Sequence, residues 1–220
     1  HQVWAEGVKR VTIVADEKEE LPANATWPPG TKVHERAELD QVQSVHIVAV
    51  DNEVKELLWI LSKEKEAQTT IKAVNISRQG QNVHSFSWRA EENQVDFGHP
   101  GNYLYEPNAA IMKSGQMSAV GARYKLIKLQ LHSHLFTSYE FIDGFPGRSF
   151  QINQWLPYKK GEMKSFLTKT KANITTRNFP ESVAELRKRW KISDGGDRYL
   201  FFTTLTEGEK VVLECSRVTT

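Results

Sequence analysis

Apolar and polar positions change period several times along the 220-residue chain, and each change marks an element. Val8 to Ala15 is a β-branched run that predicts a buried strand. Residues 16–31 are charged and punctuated by Pro22, Pro28, Pro29 and Gly30, which reads as loop or linker. Val45 to Val50 predicts a second strand, ending in Asp51-Asn52-Glu53. The following segment fits two elements. Val54, Leu57, Leu58 and Leu61 lie on one helical face, whereas a tight turn at 51–53 would make the same residues a hairpin partner. Ile71 to Ile76 is a further strand. The Gly/Asn/Gln-rich stretch at 77–82 and the polar stretch at 89–102 then mark a change of organisation.

In the middle of the chain, Glu106-Pro107-Asn108 precedes Ala109 to Lys113 and predicts a helix start, with proline and acid near its N-terminus. Leu129 to Phe136 is an irregular apolar segment that closes at Phe145-Pro146-Gly147-Arg148. The final 75 or so residues are patterned most regularly. Ser149 to Asn153 alternates as a half-buried strand, and Met163, Phe166 and Leu167 have helical spacing. Ala172 to Arg177 predicts a strand. Pro180 opens a helix with Val183, Leu186 and Trp190 at i, i+3 and i+7, ending at Asp194-Gly195-Gly196. Tyr199–Leu205 and Lys210–Arg217 pair as a hairpin across residues 206–209. The predicted order is β-α-β-α-β-β, a small α/β unit.

Composition narrows the class. With 39% hydrophobic and 25% charged residues the chain suits a folded domain and excludes a disordered or collagen-like one. Its length allows one large domain or two modest ones. No apolar run approaches the roughly 18 residues of a membrane span, so a soluble protein with no membrane partner is expected. The single cysteine, Cys215, excludes an internal disulfide framework and fits a reducing compartment. The opening lacks a signal-peptide pattern, which makes the Asn-x-Ser/Thr triplets at Asn24, Asn75 and Asn173 chance matches. A cytoplasmic location is the expectation.

Charge divides unevenly. Residues 120–220 hold 17 Lys/Arg against 10 Asp/Glu, and the first 119 hold 12 against 17, beneath a formal net charge of +2. A basic binding surface on one domain gives such an asymmetry, as does a solvated face. The terminal unit offers a basic surface of Lys159, Lys160, Lys164, Lys169, Lys171, Arg177, Arg187, Lys188, Arg189 and Lys191, with Trp155, Tyr158 and Phe179 interleaved. Such side chains neutralise phosphates while aromatic faces stack unpaired bases, so these ten are the candidate nucleic-acid-binding residues.

Other chemistry is sparse. The chain has no glycine loop of the phosphate-cradling kinds and no G-x-S-x-G elbow. Cys215 falls in a predicted strand beside Val211 and Leu213, the setting of a buried structural thiol. His132 and His134 could share a zinc, but no third ligand is evident and no metal is expected. Asp51-Asn52-Glu53 sits at the carboxyl end of a strand, where open α/β sheets bind ligands; a turn or cap would use the same residues.

Several strings recur together in one family. They are Tyr103-Leu104-Tyr105-Glu106-Pro107-Asn108-Ala109-Ala110-Ile111-Met112-Lys113, Ser133-His134-Leu135-Phe136-Thr137-Ser138, Phe145-Pro146-Gly147-Arg148 and Asn178-Phe179-Pro180. Ser182 to Lys188, Gly195-Gly196-Asp197, Tyr199-Leu200-Phe201, Thr203-Thr204-Leu205, Val45 to Glu53 and Lys55-Glu56-Leu57-Leu58 also fit. Over about residues 42–218 the chain resembles bacterial class I S-adenosylmethionine-dependent methyltransferases that carry a THUMP-like C-terminal domain.

The resemblance implies a fold of α/β and α+β class: residues 1–95 as the C-terminal end of a Rossmann-like methyltransferase sheet, 96–143 as a ferredoxin-like connecting domain, and 144–220 as a THUMP-like domain. It implies RNA, tRNA or rRNA, as the partner. The family's glycine-rich cofactor loop and catalytic acidic-Pro loop have no match here. The S-adenosylmethionine site of the parent protein is therefore expected upstream, with no cofactor bound by this chain alone and no catalytic residue named. A protein-interaction or scaffold module without nucleic acid is the alternative, and a self-sufficient enzyme a third.

Overall fold

A computed structural model describes residues 10–14, 42–61, 68–78, 80–87, 95–167 and 170–218. The linker read at 16–31 and residues 89–94 of the polar stretch read at 89–102 lie outside the described residues. The described residues fall into two units, one formed by residues up to 87 with 108–119, the other by 95–107 with 120–218.

In the first unit the strands are β1 (Arg10–Val14), β2 (Val42–Val50), β3 (Glu53–Leu61), β4 (Thr70–Ser77) and β5 (Gly80–Ser87). They form one mixed sheet in the order β1-β3-β2-β4-β5. β1 runs parallel to β3 and β2 parallel to β4, while β2–β3 and β4–β5 are antiparallel. β-branched and small side chains explain the central strands: Val45, Ile47 and Ala49 are buried in register with Ile71, Ala73 and Asn75.

The segment that fitted either a helix or a hairpin is strand β3. Asp51 and Asn52 both take positive φ, 47° and 64°, which is what a two-residue hairpin loop requires and what Asn and Asp tolerate. The helix expected at Ala109 is present as α1 (Ala109–Ser114), packed against β2, β3 and β4. Its start differs from the sequence reading. Glu106 and Pro107 belong to a strand, and Asn108 is the cap, its side-chain oxygen accepting from the Ile111 N–H at 3.0 Å. Gly115 closes the helix in the left-handed region, φ 73°.

After α2 (Met117–Tyr124), which spans the division between the units, the second unit holds a seven-stranded sheet. Its strands are β6 (Tyr103–Pro107), β7 (Ile127–Lys128), β8 (Phe136–Ser138), β9 (Gly147–Pro157), β10 (Asn173–Arg177), β11 (Tyr199–Thr204) and β12 (Lys210–Arg217). The order is β10-β11-β12-β9-β6-β8-β7, all antiparallel except the β10–β11 pair. Helices α3 (Lys160–Leu167) and α4 (Val183–Trp190) complete the predicted β-α-β-α-β-β order.

Period-2 alternation divides this sheet between two cores. Phe201, Leu205, Val211, Leu213 and Cys215 point to one face, where Leu104, Phe150, Leu129 and Leu135 join them. Leu200, Phe202 and Val212 point to the other, which α3 and α4 cover with Met163, Leu167 and Leu186. β9 serves both cores because Asn153 is an extra residue opposite the Glu214/Cys215 step. That bulge shifts the phase, so Ile152 and Trp155 both pack on the first core although three residues apart. The sequence reading ended this strand at Asn153; it runs on to Pro157.

Three strands separate β10 from β6, which in a flat sheet would place them about 19 Å apart at ~4.8 Å per step. Arg177 on β10 nonetheless bonds Glu106 on β6 at 2.8 Å. The sheet is therefore coiled around the first core, with α3 and α4 on its convex side.

Candidate nucleic-acid interface

The convex layer carries most of the candidate basic residues. α4 begins with a capping box: the Glu185 N–H donates to Ser182 Oγ, and the Glu185 carboxylate accepts from the Ser182 N–H at 2.7 Å. These bonds hold the Glu185 carboxyl below its usual range. Leu186 fixes the helix on the sheet, which turns Lys188 and Arg189 outward and leaves Lys191 as an exposed left-handed cap at φ 53°. Lys159, Lys160 and Lys164 are exposed at the start of α3 and along it. Tyr158 ties the two helical segments together, accepting from Trp190 Nε1 at 3.0 Å and from Arg189 at 3.5 Å.

Within this group the side chains differ in what they already bind. Arg187 donates to the carbonyls of Ala172 and Ile192 and pairs with Asp194, so it buttresses the chain between β10 and β11. Arg189 pairs with Glu181 at 2.7 Å. Lys171 lies alongside Gly195 and Gly196. Lys159, Lys160, Lys188 and Lys191 form no ion pair with a described residue and extend from the convex layer into solvent. Lys169 lies outside the described residues.

Arg177 is elsewhere. It sits on the concave side at the end of β10, where its guanidinium meets Glu106 together with that of Arg148. Glu106 is 2% exposed. The sequence reading missed both Glu106 and Arg148 as partners, although a signal was present. Leu104–Glu106 and Arg148–Phe150 each place the charged residue in phase with a core position, on the buried face of its strand.

The aromatic residues do not form the expected stacking platform. Tyr158 packs edge-on against Phe179 at 5.1 Å, Phe202 at 5.8 Å and Trp190 at 6.3 Å, inside the convex-side core. Trp155 packs on the concave-side core, its ring stacked on His99 at 6.1 Å. Trp155, Tyr158 and Phe179 are all half-buried against the cores, so the fully exposed chemistry of this layer is charge rather than stacking.

The remaining candidates have structural surroundings. Asn52 Oδ1 accepts from the Ala109 N–H at 2.7 Å, and the Asp51 N–H donates to the Ile76 carbonyl at 2.8 Å. These two groups at the strand end are thereby used within the fold, in the turn that the same residues were expected to serve. Asn173 donates its amide to the Gly196 carbonyl at 2.6 Å. Cys215 is wholly buried, and that burial pushes its thiol far above the usual range, as an inert core thiol requires. His134 is half-buried at φ 54°, and its imidazole is held neutral by burial and by Lys128 and Arg177. Among the described residues no group of three or more His, Cys, Asp or Glu is placed to hold a metal ion. No described helix is long and apolar enough to cross a membrane.

Comparison with known proteins adds three findings. No curated protein matches the chain. Among solved structures it is similar to the crystal structure of a "putative methyltransferase" from Porphyromonas gingivalis W83, with 34% identity and a TM-score of 0.76. The match covers 81% of this chain and 46% of that one, so the chain spans under half the length of its relative. Residues 103–146 match a family described as a ferredoxin-like domain, and residues 147–217 a family described as THUMP domain-like. The chain is thus of mixed α/β and α+β class, a ferredoxin-like piece running directly into a THUMP-like domain.

Proposed function

We propose that this chain is the RNA-recognition part of an S-adenosylmethionine-dependent RNA methyltransferase, acting on tRNA or rRNA in the cytoplasm. The observation that carries the reading is the set of exposed lysines, Lys159, Lys160, Lys188 and Lys191, without an ion pair among the described residues, on the convex layer of the THUMP-like domain. Four mobile ammonium groups on a rigid two-helix layer neutralise backbone phosphates without reading bases, which suits a module that positions a structured RNA. Similarity to a longer protein described as a methyltransferase supports assigning catalysis to the rest of the parent. Residues 1–95 are assigned to the end of the methyltransferase domain, 96–143 to the ferredoxin-like connector and 144–220 to the THUMP-like domain. S-adenosylmethionine is assigned to a site upstream, and no residue of this chain is given a role toward it.

Filter binding of bulk tRNA at two salt concentrations tests this. The wild-type chain should bind at low salt and weaken steeply as salt rises. The variant K159E/K160E/K188E/K191E should lose at least tenfold in affinity, and its salt slope should fall by about 0.7–0.9 for each phosphate contact removed. Arg187 and Arg189 are left intact because both are tied into the fold. Binding that is unchanged in the variant favours the scaffold alternative, and no binding at low salt overturns the proposal.

A further inference from the structure

Side chains from five segments converge on the concave side of the second unit, away from the lysine layer. Glu106 comes from β6, Arg148 from β9, Arg177 from β10, Lys128 from β7 and His134 from the turn before β8. Arg148 donates Nε, at 2.8 Å, and Nη2 to Glu106 Oε2. Arg177 places Nε at 2.8 Å and Nη2 at 2.6 Å from Oε1. Four donors meet the four acceptor positions of one carboxylate, so Glu106 has no capacity left. Each guanidinium keeps its Nη1 edge without a partner among the described residues, and the two side chains are 37% and 33% exposed.

The charges at this spot do not balance. Lys128 is 2% exposed, and among the described residues its ammonium donates only to the Leu131 carbonyl, at 2.7 Å. Among the described residues that act on His134 or bond Glu106, the three cations Lys128, Arg148 and Arg177 stand against the one carboxylate, a surplus of two positive charges. Burial without compensation is costly, and the surroundings register it: Lys128 is pushed below the usual ammonium range by burial. A second unmet demand lies beside it. Thr203 is the register partner of Arg177, so the two side chains share a face, and the Thr203 hydroxyl is wholly buried with no hydrogen-bond partner among the described residues.

We propose that the Arg148–Arg177 pair, fixed on Glu106, is a binding site for a phosphate monoester. Guanidinium forks match phosphoryl oxygens bidentately, and Glu106 holds both forks in place before any ligand arrives. A monoester carries close to two negative charges at neutral pH, which matches the surplus; an internal phosphodiester carries one and leaves half of it uncompensated. The phosphate can come from an RNA end or from a mononucleotide or free phosphate, and the shared chemistry is the terminal phosphoryl group.

His134 reports on the site without being mutated. Burial keeps its imidazole neutral, with Lys128, Arg177 and His132 adding to the effect and Glu106 opposing it, and a bound dianion offsets the cationic part. In the full chain, labelled at histidine and held near pH 7.5, inorganic phosphate should shift the His134 resonances saturably and raise its titration midpoint by half a pH unit or more. Acetate and chloride at equal ionic strength should do neither. Arg148→Lys, which keeps the charge and loses the fork, should weaken phosphate binding about tenfold. The variant E106Q/R148Q/R177Q, which removes the ion cluster as a set, should abolish the response while its far-UV spectrum stays native.

Short RNAs that differ only in a 5′-phosphate or 5′-hydroxyl distinguish the sources, with uridine 5′-monophosphate as the free form. Tighter binding of the phosphorylated RNA than of the mononucleotide assigns the site to an RNA end, and equal binding assigns it to a mononucleotide. A response to phosphate no larger than to acetate overturns the site, as does a 5′-hydroxyl RNA as effective as its phosphorylated twin. Failure of tRNA to bind the lysine layer leaves the inorganic phosphate titration unaffected, so the two proposals fail separately.

Discussion

Glu106→Gln is expected to destabilise the second unit by about 3–5 kcal/mol, read as a lower urea midpoint at unchanged slope. The substitution keeps the shape of the side chain and removes only its charge. Two guanidiniums are then left without a counter-charge among the described residues, and breaking one partner of a buried ion cluster costs far more than the cluster contributes net. The triple change E106Q/R148Q/R177Q removes the cluster as a set and should recover most of that loss. A shift below about 1 kcal/mol for Glu106→Gln alone would show that solvent already neutralises the two arginines.

The second large effect is expected at Gly147. A Cβ built there would lie 2.1 Å from the Glu106 carbonyl oxygen and 2.8 Å from Pro107 Cα. Both are backbone atoms in the paired strand, and neither can swing aside as a side chain tip would. Gly147→Ala must therefore separate β6 from β9 at the Pro107–Gly147 pair. The expected cost is about 3 kcal/mol or more, in the range of severe overpacking. Gly161 supplies the control, since its Cβ would meet nothing within 4 Å and it lies within helix α3. Gly161→Ala should leave stability unchanged or raise it by up to about 1 kcal/mol. Gly147→Ala should also displace Glu106, so the two substitutions should not add.

What was legible in the sequence followed from local physics. The terminal β-α-β-α-β-β order could be read because each element carries its own period and stop. Val211, Leu213 and Cys215 alternate, Val183, Leu186 and Trp190 step helically, and Asp194-Gly195-Gly196 breaks the chain. The ambiguity at Val54–Leu61 was real at that level, because its apolar residues satisfy both periods. Asp51 and Asn52 resolved it by accepting the left-handed backbone of a hairpin. The bulge at Asn153 leaves no local signature, since which residue is extra depends on the register of β12 opposite.

The candidate interface was legible only as composition. Ten basic positions could be named, but their local sequence does not separate Lys188, which extends into solvent, from Arg187, which holds two carbonyls and Asp194. Nor could it place Arg177 beside Glu106, because that contact is made by sheet coiling across residues 71 positions apart. Tyr158 and Phe179 misled for the same reason: an aromatic between lysines reads alike whether its face is open or packed.

The placement of Cys215 has a practical consequence. It is the chain's sole cysteine, wholly buried among Phe201, Leu213 and Phe150, with a thiol held protonated. A thiol reagent can reach it only when the coiled sheet opens, so its labelling rate under native conditions measures the population of that opened form. The molecule carries its own stopwatch. Each of these substitutions can be timed in this way without denaturant and without a second engineered cysteine.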